Sequence, residues 1–278
     1  MFARLSLIAL ATAFGIGAAQ AQAPVKPALT SIPAPKTSIF IGNSFFYYNN
    51  SMHSHVLGMT RAADAANRAA YRSTSVTISG SGFDWHDVDH YFRPNAIGRY
   101  SFDDANNIVF NKLDKLFDVA IMMDCSQCPV HPQLGAIFTE FARKSTDAAR
   151  KHGAQPVFFM SWAYADRPEM TQQLADAYTK AANENGAFVI PAGLAFARSV
   201  AKRPELNLYV ADKRHPSMAG TYLASAVTFA ALSGVSPVDN TYTAGIDADT
   251  ARFLRTVAWE TVQEYFGKSQ ELTSQKSQ

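Results

Sequence analysis

Ser44 lies where the extended apolar run of SIFIGNSFFYYNN (38–50) gives way to Gly42-Asn43-Ser44. A turn at that point either ends a strand and does nothing more, or it presents a hydroxyl. Serine hydroxyls are weak nucleophiles at neutral pH, so a reactive serine needs a base to take its proton and donors to hold the oxyanion that forms. A base and an acid occur together far downstream, as Asp212 and His215 in ADKRHPS. Three positions apart and just ahead of a helix, they suit a turn that folds the carboxylate back to Nδ1 of the ring and leaves Nε2 facing the serine. Pro216 fits the opening of that helix, and Ser217 can satisfy its first N–H groups.

Other residues invite chemistry and support it less well. His86 and His90 stand four apart in WHDVDHYF, and His53 and His55 lie near Ser44. A zinc site needs a third protein ligand that no spacing here identifies, so no metal is expected and His86 reads as a cleft residue. Cys125 and Cys128 in DCSQCP are followed by prolines and lack thioredoxin-like surroundings; they read as a local bridge or two free thiols, not a redox centre. GSGFDW has Trp85 where a dinucleotide fingerprint needs its third glycine, and neither a phosphate-binding G-x-x-x-x-G-K-[ST] nor a G-x-S-x-G elbow occurs.

The elements that must carry these residues follow from the pattern. Short β-rich runs at 37–42, 73–79, 117–123, 155–161 and 187–191 alternate with helical spacing at 51–71, 103–115, 133–152, 168–185, 216–233 and 247–267. HG at 152–153 and NG at 185–186 supply glycine stops after helices. One three-layer α/β/α domain with a mainly parallel five-stranded sheet is the economical reading. In such sheets ligands sit beyond the C-terminal strand ends, where this chain places GNS, GSG, DCSQCP and WAYADRP, with ADKRHPS before the late helix.

The beginning of the chain reads as an export signal. Arg4, the apolar LSLIALATAFGIGA and the small-x-small AQA at 19–21 predict a signal peptide over 1–21, cleaved after Ala21, and so a periplasmic or secreted protein. Residues 22–37, rich in Pro and Ala, read as a linker, 38–267 as the folded domain and 268–278 as a polar tail. No later window has the apolar length of a membrane span. Lys and Arg number 25 against 23 Asp and Glu, so charge points to no nucleic-acid partner. Oligomeric state is not legible.

IFIGNSFF, TISGSG and DKRHPS, in this order and at these distances, resemble the SGNH (GDSL-type) hydrolases, with GNS in place of the commoner GDS. The resemblance spans residues 38–234 and implies a flavodoxin-like fold and an esterase that uses neither metal nor organic cofactor. It implies Ser44 as nucleophile, His215 as base and then acid, and Asp212 as its orienting partner. The Ser44 N–H and a glycine N–H, from Gly80 or its near alternative Gly82, would form the oxyanion hole. The family's third-strand asparagine is missing: MMDCSQCP stands there, so Ser126 or Gln127 must substitute. Losing one oxyanion donor costs about 10²–10³ in rate.

Asn43, Phe45, Trp85 and Trp162 are the residues expected to bind substrate. Phe46, Tyr47, Tyr48 and Tyr164 divide between that platform and the core. The expected substrate is a small-molecule or glycan ester, on carbohydrate or envelope glycan. The rivals are a lipid or small acyl-ester hydrolase, a non-catalytic exported glycan-binding protein on the same fold, and a structural envelope component.

Overall fold

The computed structural model describes residues 23–93, 97, 100–110 and 115–268. The expected signal peptide, and the polar tail beyond Lys268, lie outside the described residues. Five strands, β1 (Thr37–Gly42), β2 (Arg72–Thr77), β5 (Val119–Met122), β6 (Gln155–Phe159) and β7 (Phe188–Ile190), form one sheet in the order β2-β1-β5-β6-β7. Every pairing is parallel: Ile39 lies opposite Ala120, Ile121 opposite Val157, and Phe158 opposite Val189. Counted within this sheet the order is the flavodoxin-like 2-1-3-4-5.

A parallel sheet covered on both faces demands side chains that are apolar in both directions, so the central strands read as continuous apolar runs. Ile39, Phe40 and Ile41 of β1, the whole of β5, and Val157, Phe158 and Phe159 of β6 are buried. Moving left from β1 to β2 and right from β5 to β7 with right-handed crossovers sends the connecting helices to opposite faces. Helix α2 (Met52–Ala63) packs with α7 (Met218–Ser233) and α7 with α8 (Ala248–Tyr265), whereas α4 (Gly135–Lys151) and α5 (Met170–Asn185) pack together against β6. α7 is buried nearly all round. Its Ser225, Thr228 and Ser233 hydroxyls donate back to the carbonyls four residues earlier, which leaves no unpaired group on that apolar helix.

Two regions differ from the expectation. Of the helix expected over 103–115, residues 111–114 lie outside the described residues, and 103–110 belong instead to an antiparallel hairpin, β3 (Tyr100–Phe102) with β4 (Ile108–Phe110). Asp103 Oδ1 accepts from the Ala105 and Asn107 N–H groups and Asn106 sits at φ 64°, so side-chain bonds to the backbone outcompete the helix there. A helix that the periodicity did not announce, α6 (Ala192–Lys202), follows β7 at once. Residues 23–36 have no regular secondary structure, yet they are fastened down: Val25 N–H donates to Asp176, Ala28 N–H to Asn183, and Asn183 Nδ2 to the Lys26 carbonyl. Leu29 and Ile32 pack on the core, so packing begins upstream of Ser38. Among the described residues no helix is long and apolar enough to cross a membrane.

The chain order puts the switch point between β1 and β5, where it leaves β2, passes β1 and enters β5. A crevice opens beyond the strand ends at such a point. The loops after β1 and β5 carry Ser44 and Asp124–Cys128. The segment bearing Asp212 and His215 is tied to α7 by close approach, because a Cβ on Gly220 would lie 2.3 Å from the Leu208 carbonyl oxygen. Gly220→Ala is therefore expected to cost about 1–3 kcal/mol through overpacking. A urea titration should show a lower midpoint at unchanged slope, and an unchanged midpoint would refute the contact.

Candidate active site

Asn43 caps the short helix α1 (Ser44–Tyr47), its Oδ1 accepting the Phe45 N–H at 3.2 Å. Ser44 is thereby the first helical residue, its side chain turned toward the late loop. Ser44 Oγ lies 2.7 Å from His215 Nε2, and His215 Nδ1 lies 2.5 Å from Asp212 Oδ2. A carboxylate only accepts, so Nδ1 carries the ring proton and Nε2 is left to accept from the serine. Burial pushes the Asp212 carboxyl up, but the bonds from the His215 ring and from the Arg214 and His215 N–H groups outweigh it and bring it down to about 2. It stays ionised at any pH where the imidazole can act.

The loop that presents these residues is a closed hairpin. Tyr209 bridges to Pro216, the Val210 N–H donates to the His215 carbonyl, and Lys213 takes a left-handed conformation at φ 64°. The loop after β6 holds it from one side: Trp162 Nε1 donates to the Arg214 carbonyl at 2.9 Å and the Ala165 N–H to the Lys213 carbonyl at 2.9 Å. Asn49 holds it from the other, its Nδ2 donating to the Pro216 carbonyl at 2.9 Å and to Thr221 Oγ1 at 2.8 Å. Asn49, Asn50 and Ser51 are all left-handed, a costly run for residues with a Cβ. Buried His55 supports that run, with Nε2–H donating to the Asn49 carbonyl and Nδ1 accepting from the Tyr242 hydroxyl.

The aromatics predicted for substrate turn mostly inward. Trp162, fully buried, stacks between Phe45 at 4.5 Å and Phe196 at 4.2 Å; Phe45 is buried with it and meets the His215 ring edge-on at 5.5 Å. Tyr48 lies flat on the other side of that ring, at 4.4 Å and 10°. Phe45 and Trp162 thus support the imidazole and do not reach substrate. Asn43 is corrected in the same way: it is buried, and its Nδ2 donates to the Ser81 carbonyl at 2.9 Å and the Asp124 carbonyl at 3.1 Å. Trp85, 58% exposed, is the one of the four left free to touch a ligand.

Gly80, exposed in the loop after β2, sits at φ 73°, a conformation that favours glycine. Among the described residues the Ser44, Gly80 and Gly82 N–H groups have no internal partner, so all three are available as donors. Gly82 is buried: a Cβ there would lie 2.6 Å from Asp124 Oδ1. Of the two candidates for the missing asparagine, Ser126 bonds to the Tyr164 hydroxyl at 2.7 Å, whereas Gln127 is exposed with its amide free. His86 is not a cleft residue. It is buried against Ser81 Oγ, the Gly42 carbonyl and the Tyr91 hydroxyl, and burial lowers its pKa. Cys125 and Cys128 form a disulfide, which occupies both sulfurs of the trio Asp124, Cys125 and Cys128, the one group of possible metal ligands that converges among the described residues.

No protein-family model and no curated protein matches this sequence. Solved structures do match. A DUF4886 family protein from Bacteroides uniformis superimposes with a TM-score of 0.56 at 16% identity, covering 81% of this chain and 94% of that one. A protein from Slackia heliotrinireducens assigned to the SGNH hydrolases gives 0.51 at 21% identity, covering 70% and 98%. The chain has the SGNH-hydrolase fold. An acetylxylan esterase from Geobacillus stearothermophilus shares it, with a TM-score of 0.51 at 13% identity, covering 75% of this chain and 96% of that one.

On that fold, sequence reasoning gave Tyr48 no place against the histidine ring and passed over Asn49 and Asp124. An acid ending the apolar run VAIMMD was a readable signal for the last; nothing local names the partners of the other two. Trp162→Phe keeps an aromatic in the stack but removes the N–H that holds the Arg214 carbonyl together with part of the buried ring system. It should lower stability by about 1–3 kcal/mol and reduce kcat more than it raises KM. Wild-type kinetics and melting in that variant would show that the bond does not position His215.

Proposed function

We propose that this protein is an exported serine esterase that cleaves a carboxylic ester by acyl transfer to Ser44 and then to water. The observation that carries the reading is the unbroken run of bonds Asp212–His215–Ser44, assembled from segments 171 residues apart. Ser44 Oγ attacks the ester carbonyl as His215 Nε2 takes its proton, and Asp212 stabilises the imidazolium. The Ser44 and Gly80 N–H groups receive the oxyanion, with Gln127 Nε2 the side-chain donor on the third loop. Collapse of the tetrahedral intermediate expels the alkoxide, which takes the proton from His215. Water then gives its proton to Nε2 while attacking the acyl-enzyme; collapse of that intermediate breaks the bond from the acyl carbon to Ser44 Oγ, Oγ takes the proton back from His215, and the acid leaves.

A glycan or other small ester is the substrate class this reading favours, supported by the acetylxylan esterase that shares the fold and by exposed Trp85, which offers a stacking face. The Cys125–Cys128 disulfide accords with export to an oxidising compartment. Ser44→Ala is expected to abolish hydrolysis of a chromogenic acetyl ester and labelling by a serine-directed phosphonate, with the melting temperature retained. Mass spectrometry should place the wild-type adduct on Ser44. Turnover that survives in the variant, or an adduct elsewhere, would overturn the nucleophile assignment. A panel of acyl lengths run beside acetylated sugars separates a glycan deacetylase from a lipid esterase.

A further inference from the structure

We propose that Asp124 is a positioning residue whose carboxylate clamps the loop after β2 to the loop after β5, and that turnover depends on its ionised form. The inference rests on the serine-esterase reading. Asp124 is 2% exposed and its carboxylate bonds only to backbone N–H groups among the described residues, so its effect must pass through the backbone. One oxygen, Oδ1, accepts both the Phe83 N–H at 3.0 Å and the Cys125 N–H at 2.7 Å. Phe83 follows the Gly80-Ser81-Gly82 turn, and Cys125 opens the loop that carries Gln127. The carboxylate oxygen is therefore the point at which two of the three donor-bearing loops meet, and Asn43, bonded to the carbonyls of Ser81 and Asp124, joins the third.

The approach is close enough to restrict sequence. A Cβ at Gly82 would lie 2.6 Å from Asp124 Oδ1 and 2.7 Å from Asp84 Oδ1, so the turn rests directly on the acid. The titratable groups facing Asp124 are Asp84 from that turn and Tyr178 from α5, whose hydroxyl accepts the Asp124 N–H at 3.3 Å. No cation pairs with it among the described residues. Burial accordingly pushes the Asp124 carboxyl up to about 6, against the pull of the two N–H groups and with a further push from Asp84. Hydrogen bonds to a carboxylate are roughly twice as strong as those to a neutral acceptor. Ionised, the clamp is tight; protonated, it slackens, and the oxyanion donors lose alignment.

The sign of the linkage separates this role from simple support. A carboxyl whose folded pKa is raised makes the fold relatively less stable as pH climbs through the interval from its unfolded value, about 3.9, to about 6. Asp124→Asn removes that penalty while keeping an acceptor, so the variant should melt no lower than wild type at pH 8. A residue that merely props the fold would show activity falling together with melting temperature.

The test combines kinetics with amide NMR. In wild type, the Phe83 and Cys125 amide protons should titrate together near pH 6, and the acid limb of kcat should carry that ionisation. In Asp124→Asn both signatures should vanish, and kcat at pH 8 should fall roughly ten- to a hundredfold with KM within about twofold, short of the 10²–10³ lost with a whole oxyanion donor. An unchanged kcat, an unchanged acid limb, or a kcat loss matched by a lower melting temperature would overturn the proposal. If wild type proves inactive and unlabelled at Ser44, the esterase reading fails instead; amides that then titrate still establish the clamp, and amides that do not refute it.

Discussion

A hydrogen bond of 2.7 Å between Ser44 and His215 persists only if two loops, 171 residues apart in the chain, are each fixed to a fraction of an ångström. Neither side chain can make up a misplaced backbone, since each has few rotatable bonds. The fold answers with stiffness at both ends. Ser44 comes off a strand buried on both sides and enters a helix capped by its own neighbour, Asn43. His215 sits on a hairpin closed by the Tyr209–Pro216 bridge and held by Trp162, Ala165 and Asn49. Polar bonds to backbone carbonyls set the position, and the stacked aromatics beneath leave no room for the ring to turn.

Those aromatics explain why the site is narrower than its composition suggests. Seven aromatic residues cluster at or near strand ends, an arrangement that could equally form a binding platform. The parallel sheet, however, leaves a deep wedge between β6 and α6 that must be filled, and Trp162, Phe45 and Phe196 fill it as a continuous stack. Burial of such rings is worth more to the fold than a half-exposed contact with a ligand. What stays exposed on the loops after β2 and β5 includes Gly80, Trp85 and Gln127, and on the late hairpin Arg214 lies 4.5 Å over the Tyr164 ring. On the proposed esterase reading, those exposed groups are where one substrate is told from another.

Much of this was legible because the relevant signals are covalently local. Strands buried on both faces announce themselves as apolar runs, and the alternation with helices fixes a parallel sheet, from which the location of a cleft follows without coordinates. Asp212 and His215 were legible as a pair for the same reason, whereas their link to Ser44, 171 positions before the histidine, came from the family resemblance. What could not be read was partnership. DDANN carries helical spacing and turn chemistry at once, and only the turn bonds of Asp103 decide for a hairpin. Asn43 beside Ser44 looks like a ligand contact until its amide is seen to join Ser81 and Asp124, residues 38 and 81 positions away. His86 was misplaced on the same ground, since burial depends on what folds over it.

Two carboxylates near this site illustrate how environment assigns roles to chemically identical groups. Asp212 is partly exposed and gathers three donors, so its charge is secure and available to an imidazolium that forms beside it. Asp124 has two donors, almost no solvent and a like charge for a neighbour, so burial pushes its carboxyl up to about 6. The first acid is insensitive to pH wherever the chemistry can run, and the second is not. On the proposed esterase reading, the geometry of the two loops that Asp124 joins follows the ionisation of that carboxyl. That proton is felt at the loops bearing Phe83 and Cys125, and the Asp212 carboxylate beside His215 does not register it.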